Sequence, residues 1–418
     1  MSPGDDGRPA TPVRTSFIAA YTLAQIGAFV SFMPLFQVLL PLKAEAIDAA
    51  GKALLLSQVA FYGALTASVA NLLAGAISDR TTSRFGRRRP WMVVGALGAA
   101  GAYLLIMNAR TPGALIAGII VFQLTFNLMF SALIAVMPDR VPDSQKGRVA
   151  AFLSLGNPIG TMAGAVLIGG LLVSEVTRYL AIIAVLLITL APFAFGLDDK
   201  PLARNARPPF RLGAFIAGLW VDPRQHPDFA FAWLGRFMVL VALSLVQGYM
   251  LYFMQDVLGY SRLFPGHKAE EGLAILTTVS TVSNVALALI GGILSDRLKR
   301  RKLFAAGAAL TMALAMLIFS TTPSWPVMIG AYLLLGCGAG CFYAVDIALV
   351  TQVLPSQRDA GKDLGVLNLA NTLPQALAPA LAVWSLGPSL LDFRTFFIVA
   401  AALAMAGGLA ILPIRGVR

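Results

Sequence analysis

Runs of roughly 20 apolar residues recur from one end of this chain to the other, and they leave little room for any other architecture. At a rise of 1.5 Å per residue, a helix of that length crosses a hydrocarbon core about 30 Å thick. Twelve such runs can be counted, with approximate spans 15–41, 53–78, 90–108, 112–138, 148–173, 178–196, 229–258, 271–296, 302–321, 325–354, 362–387 and 392–413. Of the 418 residues 58% are hydrophobic and only 12% charged, where an ordinary soluble domain carries about 25% charged residues. The mean hydropathy is +0.77. The expected fold class is therefore an all-α membrane protein with twelve transmembrane helices.

Charge gives the expected orientation. Residues before the first run are polar and do not form a basic lead into a short apolar core, so a removable signal peptide is not expected. With the N-terminus inside, the inner segments hold Arg8, Arg14, the 80–89 cluster, Arg140, Lys146, Arg148, Lys200, Arg204, Arg207, Arg211, Arg224, the 297–302 cluster, Arg358, Lys362, Arg415 and Arg418. The other side holds only Lys43, Lys52, Arg110, Arg178, Arg262, Lys268 and Arg394. This bias follows the positive-inside rule and predicts a multi-pass protein of the cytoplasmic (inner) cell membrane with both termini cytoplasmic. The net charge of +12 is then topology rather than nucleic-acid binding.

The longest polar stretch, 197–228, divides the runs six and six. The predicted organisation is a tail at 1–14, a six-helix bundle at 15–196, a linker at 197–228, a second bundle at 229–413 and a tail at 414–418. Within the linker Phe210, Leu212, Phe215, Ile216, Leu219 and Trp220 are spaced for a short amphipathic helix on the membrane surface. The two bundles look related. Gly75-Ala-Ile-Ser-Asp79-Arg80 in the first is echoed by Gly292-Ile-Leu-Ser-Asp296-Arg297 in the second, each closing an apolar run and opening into an Arg/Lys cluster. Gly147, Arg148 and Asn157 likewise reappear as Gly361, Lys362 and Asn371, all shifted by the same 214 positions. Helices 5 and 11 both carry helix-disturbing residues nearby, Gly156, Pro158 and Gly160 in one and Pro374 and Pro379 in the other. Such paired interruptions point either to a binding path or to close helix packing.

The first motif continues through Gly86, Arg87 and Arg88 to Pro90-Trp91, between helices 2 and 3 of a six-plus-six chain. In that position it resembles the signature loop of the major facilitator superfamily, and the likeness extends over the whole membrane portion. More narrowly, the stretch from Ser78 to Trp91, with Ala344-Val-Asp346 through Leu354-Pro355 to Gly365, is similar to the glycoside-pentoside-hexuronide and sucrose-type symporters. The resemblance implies two pseudo-symmetric six-helix bundles, the major facilitator fold, rocking about a central site lined by helices 1, 4, 7 and 10. It makes Gly75, Asp79, Arg80, Gly86, Arg87, Arg88, Gly292, Asp296 and Arg297 a cytoplasmic gate motif. Electrostatics gives the motif a role: Asp79 is attracted to the N-terminus of helix 11 near Gly361, and Asp296 to the start of helix 5 near Gly147.

Ionisable residues within a membrane span are costly and therefore functional candidates. Asp346 on helix 10 and Arg236 on helix 7 sit at depths of about 13 Å and about 10 Å from the same end. They are expected to face each other, with Asp346 as the proton-coupling carboxylate and Arg236 as its partner; a static ion pair is the alternative. The substrate cavity is expected from Gln25, Phe29 and Phe32 on helix 1, Gln123 and Asn127 on helix 4, Tyr249 and Tyr252 on helix 7, Tyr343 on helix 10, and the repeat-related Asn157 and Asn371. Aromatic rings beside amides suit a sugar, whose C–H face stacks while its hydroxyls hydrogen-bond, although aromatic stripes also serve helix packing. Relatives of this type commonly carry an acidic residue within helix 1, and sodium-coupled ones carboxylates in helices 2 and 4. Here those helices offer Glu45 beyond the outer end and Asp79 and Asp139 at inner boundaries, so coupling rests on Asp346, and uniport stays open.

Cys337 and Cys341 share a face of helix 10, but His226 and His267 fall in loops, so no metal is expected, nor any cofactor. No nucleophile–base set or phosphate-binding Gly-Lys-Ser/Thr loop is present, which argues against an enzyme or an ATP-driven pump. The resemblance implies a secondary transporter working by alternating access, expected to import a sugar, glycoside or small oligosaccharide with protons. Its expected partners are that small-molecule substrate, protons and membrane lipids, with no nucleic acid and a monomeric state. An exporter of lipophilic or amphipathic compounds, and a non-transporting sensor or assembly factor, remain alternatives.

Overall fold

The computed structural model describes residues 12–199, 222–298, 300–321, 324–353, 360–387 and 391–415. Their regular structure is helical: α1 Thr15–Ile47, α2 Lys52–Asp79, α3 Arg89–Asn108, α4 Pro112–Arg140, α5 Ser144–Leu171, α6 Glu175–Gly196, α7 Pro227–Val257, α8 Ala269–Leu298, α9 Arg301–Thr321, α10 Trp325–Gln352, α11 Ala360–Leu386 and α12 Phe393–Ile411. Eleven of them are long and apolar enough to cross a membrane; α11 is 27 residues long with its apolar part at Leu373–Leu386. Large apolar side chains such as Ile188 and Trp384, each 70% exposed, fit a protein whose outer solvent is lipid.

Local sequence accounts for the helix ends. Proline occupies the first positions of α3, α4, α7 and α10, where its missing N–H would be unpaired in any case. The Thr111 hydroxyl accepts the Ala114 N–H at the start of α4, and the Asp392 carboxylate accepts the Thr395 N–H at 3.0 Å to cap α12. Widened π-helical turns interrupt α1 at Leu35–Leu39, α5 at Ala165–Leu171 and α7 at Phe253–Val257. All three lie toward the end of the helices opposite the Arg-rich loops.

The chain forms two compact units, 1–35 with 65–210 and 36–64 with 211–418. In the first, α3 packs on α4, and α1 packs on α5 and α6. Tyr21 stacks on Phe193 at 4.6 Å and donates to the Leu133 carbonyl, and Tyr103 donates to the Ser31 carbonyl. Gly156, Gly160 and Gly164 of α5 face α1: a Cβ on Gly156 would meet Gln25 Cγ at 2.7 Å, and one on Gly160 would meet the Val30 backbone nitrogen at 2.9 Å. Of the two readings open for these glycines, this geometry is close helix packing. In the second unit α10 packs on α8 and α9, and α12 on α7 and α9. Phe253, Phe319, Phe393, Phe396 and Phe397 form its aromatic core. Residues 36–64, the far parts of α1 and α2, belong to this second unit because α7 holds them: Tyr252 donates to the Pro41 carbonyl at 2.9 Å, and Tyr249 shares a hydrogen bond with Ser57. The amphipathic segment read around Phe210–Trp220 lies outside the described residues.

Candidate functional site

In the second unit, α7 and α10 bring Arg236 and Asp346 together as an ion pair. Asp346 is only 2% exposed. The Arg236 side chain is 13% exposed and also donates from Nη2 and Nε to Asn371 Oδ1 on α11, at 2.9 and 3.3 Å. Tyr343, three residues before Asp346, is on the same face of α10 and is 39% exposed. A carboxylate this buried is tolerable while its guanidinium partner stays in place, and removing either one leaves the other charge unpaired. Asn371 is exposed just before the apolar part of α11 and is bonded to the guanidinium.

The first unit holds an amide cluster. Asn127 donates to the Gln123 carbonyl at 2.8 Å and to Gln123 Oε1 at 3.0 Å, and Asn71 of α2 donates to Asn127 at 3.4 Å. Gln25 and Gln123 are buried, and Gln25 Oε1 and Gln123 Nε2 have no hydrogen-bond partner among the described residues. Asn71 was missed in the sequence; the signal was a lone amide in an otherwise apolar stretch. Asn157 is exposed on α5, where its carbonyl oxygen accepts from Thr161 at 3.3 Å.

The aromatic candidates divide. Phe29 and Phe32 contact a ladder on α4, Phe29 meeting Phe130 at 5.6 Å and Phe32 meeting Phe126 at 4.9 Å, while Phe122, Phe126 and Phe130 stack on one another. Tyr249 and Tyr252 are buried, and their hydroxyls are committed to Ser57 and to the Pro41 carbonyl. Both pack against 36–64 in this structure. Spacing on α7 put them on one face but could not show which distant segment covers that face.

The loop between α2 and α3 is a charge clamp. Arg88 bonds Asp79 at 2.5 Å, Asp139 at 2.8 Å and the Ser78 hydroxyl at 2.8 Å, and Arg87 bonds Asp139 at 2.6 Å. The two aspartates hold the buried Arg88 guanidinium even further toward its charged form, outweighing the opposing effect of burial. Asp199, after α6, accepts the backbone N–H groups of Arg88 and Arg89 at 2.6 and 2.7 Å. Gly86 has φ +102°, and a Cβ there would run into the Asp199 carboxylate, so only glycine fits the turn. Arg80 follows on the exit turn of α2, whereas a Cβ on Gly75 would meet nothing within 4 Å. In the second copy Gly292 lies within α8 and Arg297 is exposed; the Asp296 side chain, and the 354–359 approach to α11, lie outside the described residues. A cavity of about 1040 Å³ beside the clamp is lined by Arg14, Phe17, Arg88, Asp139, Arg140 and Asp198.

The sequence profile of the Major Facilitator Superfamily matches residues 15–275 and 266–417, nearly the whole chain. The chain belongs to this superfamily. It is a multi-pass membrane protein of a transporter family. Solved Major Facilitator structures agree on the fold: the nucleoside transporter NupG at TM-score 0.70 and 14% identity (96% of this chain, 99% of that one), a bacterial homolog of the human lysosomal transporter Spinster at 0.71 and 14% (97% and 99%), and the human organic anion transporter MFSD10 at 0.68 and 17% (96% and 100%). Over 65 residues the chain is 43% identical to the human proton-associated sugar transporter A, and over 63 residues 44% identical to the mouse protein. Those stretches are 16% and 15% of this chain and only 9% and 8% of the relatives' own lengths.

One further cluster, at the opposite end of the helices, has no counterpart in the sequence reading. Lys52 at the start of α2 bonds Glu45 at 3.0 Å and Asp256 at 2.9 Å, reaches Gln255 at 3.4 Å and lies 4.8 Å from the centre of the Tyr252 ring. Gln255 in turn donates to Glu45 at 3.1 Å. The signal available was a lone lysine close after Glu45 and an acidic residue, Asp256, just over 200 positions further on, which only folding brings together.

Proposed function

We propose that this Major Facilitator protein is a proton-coupled importer of a sugar, glycoside or small oligosaccharide, working by alternating access in the cytoplasmic membrane with both termini inside. The observation that carries this reading is the buried Asp346 paired with Arg236 and flanked by Asn371 and Tyr343. Protonating Asp346 removes half of the pair and releases Arg236 and Asn371 to a hydroxylated solute; deprotonation restores the pair and expels it. Proton and solute are thereby coupled through one guanidinium. The short likeness to proton-associated sugar transporter A supports the same class of cargo.

The test is uptake of radiolabelled sucrose and maltose into proteoliposomes, with and without an inward proton gradient. Gradient-driven accumulation that Asp346→Asn abolishes is the expected result. Movement of neither sugar under either condition would overturn the proposal and turn attention to export of lipophilic compounds in the same fold.

A further inference from the structure

Next to Arg236 on α7, the rings of Trp233 and Phe237 stack nearly parallel, 5.2 Å apart at 8°. Their spacing of four residues puts them on one helix face with Arg236. Both rings are half-buried, unlike Tyr249 and Tyr252, which are sealed into packing further along the same helix. The exposed Asn371 amide and the Tyr343 ring belong to the same neighbourhood through Arg236, whose guanidinium is shared between Asp346 and Asn371. With Asn371 Oδ1 occupied by Arg236, the NH₂ end of that amide is the donor it can offer, and the Tyr343 hydroxyl can both donate and accept.

A stacked aromatic pair on the helix face that carries a guanidinium, itself bonded to an amide, has the chemistry to recognise a ring with one C–H face and hydroxyls around its edge. We propose that Trp233 and Phe237 are the stacking wall of a pyranose subsite on α7, with Asn371 and Tyr343 bonding the sugar's edge and Arg236 linking that contact to Asp346. The inference deepens the sugar-import reading and rests on it for the identity of the ring. It also accounts for the place of the coupling pair: a sugar on this wall competes with Asn371 and Asp346 for the same guanidinium.

Two measurements separate the subsite from transport. Intrinsic fluorescence of the purified full-length protein is titrated with sucrose and maltose, for wild type and Trp233→Phe. Uptake kinetics are compared for Trp233→Ala, Trp233→Phe and wild type. The subsite predicts a saturable sugar-dependent fluorescence change that Trp233→Phe removes. It also predicts a KM raised about tenfold in Trp233→Ala and held within about threefold in Trp233→Phe, the scale of a lost aromatic contact. A fluorescence change that survives Trp233→Phe, or an unchanged KM in Trp233→Ala while wild type transports sugar, overturns the subsite and leaves the function standing. A Trp233-dependent change without gradient-driven uptake upholds the subsite and overturns coupled import. Absence of both responses in wild type overturns both.

Discussion

Asp346 is buried against one guanidinium, so its energetics are those of the pair. Asp346→Asn removes the negative partner of Arg236 while leaving its hydrogen bonds to Asn371 Oδ1, and removing one member of a buried pair typically costs about 3–5 kcal/mol. The single variant is expected to lower the melting temperature in detergent, and Asp346→Asn with Arg236→Gln to recover most of the loss. Additive losses in that double-mutant cycle would contradict the pairing. Glycines give a second contrast. Gly86→Ala places a side chain at φ +102° against Asp199 and is expected to destabilise by about 1–2 kcal/mol, whereas Gly75→Ala meets open space and should be neutral or slightly stabilising. Equal melting temperatures for the two variants would refute the account of the turn. At this scale the sequence was most informative where a residue was chemically out of place: two charges in apolar helices announced themselves. Tyr249 and Tyr252 did not, because their packing depends on Ser57 and Pro41, 192 and 211 residues away in the chain.

Helices were legible almost to their ends, since each apolar run is bounded by prolines, glycines and charges that act locally. All twelve expected spans correspond to a helix, with ends differing by a few residues. The π turns in α1, α5 and α7 were not legible, because a widened turn depends on neighbouring contacts rather than on local propensity. The glycine face of α5 carries a prediction of its own. Gly160→Leu must push α5 off the α1 backbone at Val30, so folded yield in membranes should fall sharply, while Gly101→Leu, at a site open within 4 Å, should be tolerated. Equal yields would show that the two helices do not depend on this approach. For 36–64, Lys52→Met removes the cation shared by Glu45, Gln255 and Asp256. Amide hydrogen exchange over 41–57 is expected to accelerate, and unchanged protection would mean that the tyrosine contacts alone hold the segment.

For the whole molecule, the membrane dictates the helices and the sequence repeat relates the two halves. Gly147, Arg148 and Asn157 return as Gly361, Lys362 and Asn371, yet the two asparagines have diverged: Asn157 accepts from Thr161, and Asn371 accepts from Arg236. The repeat-related positions thus have different partners, Thr161 on the same helix for Asn157 and Arg236 on α7 for Asn371. The charges of Arg236 and Asp346 were conspicuous in the sequence of the second half, whereas the Trp233–Phe237 stack emerges only from the structure. The central claim is that sugar and proton move together through Asp346. Its most direct test is a proton-flux measurement: proteoliposomes loaded with a pH-sensitive dye, without an imposed proton gradient, receive sucrose or maltose outside. Wild type should acidify the lumen as sugar enters, and Asp346→Asn should take up sugar only downhill with no pH change. Sugar entry without acidification in wild type, or acidification that persists in Asp346→Asn, would contradict the account.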